Sequence, residues 1–257
     1  MSLVEQYVAF MTILRKEVKR YLRIWTQTLL PSAITMSLYF VIFGKLIGSR
    51  IGEMGGFSYM QFVVPGLIMM AIVTNSYANV VSSFFGSKFN HSVEELLVSP
   101  TPNYVILMGY VVGGVTRGLL VAVVVTLVSL FFTRMEVHSY AIVLLTVLMT
   151  STLFALGGFI NAVFANSFDD ISIVPTFVLT PLIYLGGVFY SMDLLPEFWA
   201  NVSKLNPLVY VVNAFRYGVL GVSDVSLSFA LGMIGAFTLA AFMFSMHLLN
   251  TGTRLRQ

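Results

Sequence analysis

The side chains that could do chemistry are sparse and scattered. Gly86-Ser87-Lys88 has the ending of a phosphate-binding loop, but the upstream glycine of G-x-x-x-x-G-K-[ST] is missing. His91, His138 and His247 fall in three separate regions, so no metal cluster assembles by spacing. There are no cysteines, which excludes thiol catalysis, iron–sulfur clusters and disulfides. No G-x-S-x-G element or carboxylate pair lies within an apolar run, which weakens an intramembrane hydrolase. Asn201-Val202-Ser203 fits a glycosylation sequon, a pattern short enough to recur by chance.

What remains is a set of polar groups placed against oil. The 257 residues are 58% hydrophobic and only 10% charged, far below the ~25% charge of soluble domains. Net charge is +3, too weak to point to nucleic acid. Glu5, Glu17, Glu53, Glu94, Glu95, Glu136, Asp169, Asp170, Asp193, Glu197 and Asp224 all fall outside the long apolar runs, as a carboxylate at mid-bilayer costs several kcal/mol. Arg117 is the exception among cations. It sits within the third run, and with no acid in any run its expected partner is a carbonyl, a hydroxyl or a lipid phosphate. That run is long enough for Arg117 to snorkel instead. Around it, Gly109/Gly113 and Gly114/Gly118 give two small-xxx-small spacings that permit close helix approach. Polar stripes recur at helical spacing: Thr28, Ser32, Thr35 and Tyr39; Asn75, Asn79 and Ser83; and Ser172, Thr176, Thr180 and Tyr184. Each stripe either lines a substrate path or bonds helix to helix, an ordinary contact worth ~0.6 kcal/mol.

The elements that must position these groups follow from hydropathy. Residues 2–24 predict an amphipathic helix, with Val4, Tyr7, Met11, Leu14, Val18, Tyr21 and Trp25 on one face and most charges off it. It should rest on the membrane surface, basic side toward anionic headgroups, either as a simple anchor or as a partner-binding element. Crossing ~30 Å of hydrocarbon takes about twenty helical residues. Six stretches qualify: 25–46, 58–85, 104–132, 139–164, 171–190 and 228–249. The first span lacks a signal-peptide cleavage site after it. Arg15, Lys16, Lys19, Arg20 and Arg23 precede that span against Lys45 and Arg50 just after it, which places the N-terminus in the cytoplasm. An even number of spans brings the C-terminus to the same side.

On this topology the loop SKFNHSVEELLVSPTPNY is cytoplasmic. Ser92 and Glu95 have capping-box spacing, Pro100 ends the helix, and Thr101 with Pro102 should cap and open the third span. A short helix over 92–98, carrying Glu94 and Glu95 outward, can act as a lever between the membrane helices and a soluble partner, or be no more than a helical surface loop. In the fifth span Pro175 and Pro181 remove backbone hydrogen bonds, and Gly186-Gly187 lies near its end, so a bent helix is expected. The 191–227 segment faces outward and is too apolar for an ordinary loop. Its clusters, one of them opening at Asn206-Pro207, are too short to cross and read as re-entrant or interfacial helices. No repeat or soluble domain is discernible, so residues 1–257 read as a single all-α polytopic membrane domain.

In order along the chain, QFVVPGLIMM, FNHSVEELLVSPTPNYVILMGY, FANSFDDISIVPTFVLTPLIYLGGVFYSMDLLP and NPLVYVVNAFRYG, between an amphipathic N-terminal helix and a short basic tail, resemble the ABC-2 type permeases. These are the membrane subunits of ATP-binding cassette exporters in bacterial inner membranes. The resemblance covers essentially the whole chain. It implies that Ser92, Glu94, Glu95 and Leu96 belong to a coupling helix docked on an ATPase subunit. The N-terminal helix, with Arg15 and Arg20, would be the connecting helix that also touches it. It implies that the second and fifth spans of two copies face each other around the path, making Asn75, Asn79, Ser83, Thr176, Thr180 and Tyr184 its lining. Pro175, Pro181, Gly186, Gly187, Asn206 and Pro207 would then be hinges, with the external segment closing the outer end. The implied partners are two cytoplasmic ATPase subunits, a second permease copy (a homodimer) and membrane lipids. ATP and Mg belong to the ATPase, and this chain itself carries no cofactor. A hydrophobic or amphiphilic solute (a drug, lipid, glycolipid or polysaccharide) would move outward. Two other readings compete: a lipid-modifying membrane enzyme, which lacks a nucleophile or metal site, and a channel or scaffold without energy coupling. A phosphate-loop ATPase encoded next to this chain would fit only the exporter.

Overall fold

A computed structural model describes residues 1–254; the end of the basic tail, 255–257, lies outside the described residues. Among the described residues the regular structure is helical apart from one antiparallel pair of two-residue strands, β1 (Glu53–Met54) and β2 (Phe57–Ser58). The turn between them runs through Gly55 and Gly56, both at positive φ, where a side chain would be strained. Helix α1 (Leu3–Arg23) opens on a capping box of Ser2 and Glu5. After a break at Ile24 the chain continues as α2 (Trp25–Ile51), whose backbone is π-helical from Phe40 to Ile47. Helix α3 (Tyr59–Phe89) opens on a second capping box, Ser58 with Gln61. Then come α4 (Ser92–Val98), α5 (Asn103–Ser129), α6 (Tyr140–Phe164) and α7 (Asp170–Tyr184). A 3-10 turn (Met192–Leu194), α8 (Glu197–Ser203), α9 (Pro207–Leu220) and α10 (Leu227–Thr251) complete the order.

Five of these helices, α2, α3, α5, α6 and α10, are long and apolar enough to cross a membrane. The expected fifth span, 171–190, is shorter than required. Helix α7 consists of three five-residue pieces, the middle one π-helical from Pro175, and stops at Tyr184. Its helical rise of ~22 Å falls short of ~30 Å of hydrocarbon. The chain then turns at Gly187 (φ 72°) and lies so close to α3 that a Cβ on Gly66 would meet the Val188 carbonyl at 2.7 Å.

Helix α3 is the centre of the bundle. Val63, Val64, Leu67, Met69, Ile72, Val80 and Phe84 are wholly buried along it, against α5, α6 and α9. Helix α10 covers α6 and α9, and α1 lies along α5. Helix α2 is peripheral, with Leu30, Ile34, Leu38 and Leu46 exposed. Apolar burial does not separate such helices from lipid, so packing and interhelical bonds hold the bundle. Both glycine pairs of α5 are packing grooves. Gly109 and Gly113 receive Ile13 and Glu17 of α1, whereas Gly114 and Gly118 receive α3 and α6 at Val80, Ser76 and Ser151.

Candidate functional site

Helix α4 sits in a tight hairpin between α3 and α5. His91, at φ 58°, makes the turn, and Ser92 is the first helical residue rather than the cap. Its hydroxyl donates to the Ser87 carbonyl at 3.0 Å, so the expected Ser92–Glu95 capping box does not form. The expected cap at Thr101 is also displaced: Pro102 is the N-cap of α5. Val93 is buried and Leu96 packs inward, which fastens α4 to the bundle, while Glu95 and Val98 are exposed. Glu94 is half-buried and pairs with His91 Nδ1 at 3.1 Å. At the base of this hairpin Lys88 donates to the Val163 and Ala165 carbonyls at 2.7 and 2.8 Å, closing the end of α6. Phe85 and Phe89 pack on Phe168 just ahead of α7. The short helix is thus hung on α3 and α5, and the end of α3 that carries it is bonded to α6 and packed on Phe168 just ahead of α7.

Helix α1 packs one face against the bundle. It runs alongside α5 in the same direction, Gln6 meeting Tyr104, Ile13 meeting Gly109 and Glu17 meeting Gly113. Its inward face is Ile13, Glu17 and Tyr21, and Val4, Tyr7 and Trp25 of the expected apolar stripe are exposed. Glu17 is 0% exposed. Ser83 donates to its Oε1 at 2.5 Å, Asn79 Nδ2 lies 3.5 Å from Oε2, and Arg20 donates to Oε2 at 3.3 Å. Arg20 Nη2 also donates to the Asn79 backbone and side-chain oxygens at 2.8 and 3.0 Å, and Nη1 to Ser82 at 3.3 Å. Arg15, by contrast, is exposed. A carboxylate therefore does enter the bundle, delivered by a neighbouring helix and held by an ion pair and hydrogen bonds, as burial of a charge demands.

The same network takes up the α3 stripe within the chain. Asn75, Asn79 and Ser83 are buried, and each is used between helices. Asn75 accepts from Arg117 Nη2 at 2.9 Å and donates to Ser32 at 3.0 Å and to the Ala71 carbonyl. Arg117 is thereby held by a side-chain amide within the protein instead of snorkelling. The polar groups that remain open are Thr176, Thr180 and Tyr184 on α7, all exposed, with the Tyr184 hydroxyl 3.4 Å from that of Tyr39 on α2. Tyr39, Phe43, Tyr184 and Phe189 form one aromatic cluster there. Within the chain, Tyr184 of the α7 stripe meets Tyr39 of α2.

The hinge residues are placed as follows. Thr180 donates through both its amide and its Oγ1 (2.9 Å) to the Pro175 carbonyl, the i to i−5 closure of a π turn, one residue ahead of Pro181. Gly186 is buried against Leu208 and Gly187 takes positive φ. Asn206 caps α9 through Leu208 N–H and donates to the Leu182 carbonyl at 2.7 Å, with Pro207 as the first helical residue. The sequence did not single out Arg216. It is fully buried, donates to the Gly187 carbonyl at 2.6 Å and lies 3.9 Å over the Phe62 ring. Asp224 accepts from Ser191 Oγ and the Met192 amide, so the 191–227 segment is tied to itself here and, through Asn206 and Arg216, to the end of α7 and the turn after it. No group of three or more histidines and acids that could hold a metal is present among the described residues.

Five helices long and apolar enough to cross a membrane, with a short helix hung between two of them, make this a polytopic membrane domain. Residues 8–220 match the ABC-2 type transporter family, and the chain belongs to it. It is a multi-pass inner-membrane transport permease, the membrane subunit of an ATP-binding cassette transporter. Among its relatives is the inner membrane transport permease YadH of Escherichia coli K12, 58% identical over 97% of this chain and 98% of the relative. Nodulation protein J of Neorhizobium galegae is 22% identical over 94% and 92% of the two chains, and that of Rhizobium leguminosarum bv. viciae 23% identical over 83% of each.

Proposed function

We propose that this permease exports a hydrophobic or amphiphilic solute, works as a homodimer, and is driven by two copies of a separate ATPase that holds ATP and Mg. In this reading 1–257 is one domain with six crossings, α7 and the turn after it making the short fifth, and both termini are cytoplasmic. The external segment from 191 to 227 enters the membrane from outside without crossing. The observation that supports coupling best is α4. Its Val93 and Leu96 face is fastened to the bundle, while Glu95 and Val98 (87% exposed) are free to meet a partner. When ATP draws the two ATPase subunits together, α4 moves with them, and its attachment to α3 and α5 passes the motion inward. Thr176, Thr180 and Tyr184 then line the path together with Tyr39 of α2, which meets Tyr184.

The test reverses both charges, Glu94→Lys with Glu95→Lys, in the permease co-expressed with its ATPase. Transport in proteoliposomes should be lost while the protein still inserts and folds. If the reversed protein supports substrate-stimulated ATP hydrolysis as the parent does, α4 is not the coupling element.

A further inference from the structure

At the end of α1 a cavity of about 390 Å³ is lined by Lys16, Lys19, Arg20, Arg23 and Ile24. Positions 16, 19, 20 and 23 share one helix face by their spacing of three and four. No acid lines this cavity, because Glu17 is turned inward onto Gly113. Two of the four cations are already committed in part. Lys16 donates to Ser87 at 3.3 Å, and Arg20 holds Asn79 and Glu17. Lys19 and Arg23 are exposed and make no hydrogen bond among the described residues. Like charges gathered on one wall repel each other unless an anion sits among them.

The position of the cavity indicates which anion. Ile24 ends α1, and Trp25 opens the first helix long enough to cross the membrane. The cations therefore stand within about two and a half turns of the first spanning residue, at the depth of lipid headgroups, where interfacial tryptophan is also favoured. Leu22, Ile24 and Trp25 beside them are exposed apolar side chains, suited to acyl chains and unsuited to a water-soluble ligand. We infer that this cavity binds the phosphate headgroup of an anionic phospholipid, beside the Lys16 and Arg20 contacts that fasten α1 to α3. The bound lipid makes the docking of α1 depend on membrane composition.

The inference is independent of what the permease exports. It is tested with Lys19→Gln/Arg23→Gln, a change at two exposed positions that leaves the Glu17 and Arg20 network in place. Parent and variant are reconstituted in nanodiscs of phosphatidylcholine with or without phosphatidylglycerol or cardiolipin, and retained lipid is read by native mass spectrometry. The parent should retain anionic lipid saturably and melt higher in its presence. The variant should bind it about thirtyfold more weakly, as two surface cations are lost. Equal retention by the two proteins overturns the site. Displacement of the lipid by millimolar inorganic phosphate overturns the lipid assignment in favour of a soluble anion.

Discussion

Glu17 lies on Gly113 so closely that a Cβ added to the glycine would stand 2.6 Å from the Glu17 Cβ and 2.9 Å from its Cγ. One turn away, Gly109 holds Ile13 at a comparable 2.6 Å. The glycines are thus the surface that lets a helix bearing a carboxylate lie against a helix of the bundle. Gly113→Ala should lift α1 from α5 and cost ~1–3 kcal/mol, the usual penalty of overpacking. Gly86→Ala is the control, since no atom lies within 4 Å of its added Cβ. It should be neutral or stabilise by up to ~1 kcal/mol through helix propensity. Thermal midpoints in one detergent read both, and equal shifts would mean that α1 is not seated in the groove.

The Glu17 carboxylate can be dissected by shape and charge. Glu17→Gln keeps an oxygen for Ser83 but loses the charge facing Arg20, whereas Glu17→Leu loses both. Arg20 remains bonded to Asn79 and its side chain is 30% exposed, so water screens part of the loss. We expect ~1–3 kcal/mol for the leucine variant and a smaller cost for the glutamine. ATP hydrolysis by the assembled transporter should become less responsive to substrate in the same order. A leucine variant as stable as the parent would remove the network from the energetics of the fold.

Arg117 and Asn75 join α5 to α3 at 2.9 Å, and Asn75 carries the link on to Ser32 of α2. A double-mutant cycle with Arg117→Met and Asn75→Leu should give a coupling of ~1.5–3 kcal/mol, the range for a hydrogen bond to a charged group. Neutral interhelical contacts in membranes average ~0.6 kcal/mol. A value at or below that figure would mean that Arg117 finds water or lipid phosphate as readily as Asn75.

Much of this arrangement was legible in the residues. Runs of apolar side chains gave the long helices, Pro100 and Pro102 bracketed α4 from one side, and the alternate glycines of α5 marked its grooves. Helix rotation was not legible. The Asn75, Asn79 and Ser83 stripe has the same spacing whether it faces water or Arg117, Arg20 and Glu17, and only the neighbours decide. The same ambiguity left Glu17 among the charges off the apolar face of α1, although Ile13, Glu17 and Tyr21 stand at the four-residue spacing of one buried face. Ser92 matched a capping pattern that the left-handed His91 pre-empts, whereas the same pattern at Ser2/Glu5 and Ser58/Gln61 is realised and was readable. Arg216 gave no signal, since its partners are a backbone carbonyl and an aromatic ring distant in sequence.

The short α7 is where backbone chemistry meets the open polar stripe. Pro181 has no N–H to give the Phe177 carbonyl, and the ladder recovers through the i to i−5 bond from Thr180 to Pro175. This extra residue in the turn sets the rotation of everything after it, including the face on which Tyr184 meets Tyr39. Pro181→Ala restores the donor and should return the turn to α geometry, rotating Tyr184 by about 100° per residue of register lost. Because the chain has no cysteine, the change can be read directly. With cysteines at positions 39 and 184, a short bismaleimide should link α2 to α7 readily in the parent background. The yield should fall about fivefold or more once Pro181 is replaced, since the two sites no longer share a face. Unchanged cross-linking would show that packing against α3 and α9, and not the proline, fixes the orientation of the stripe.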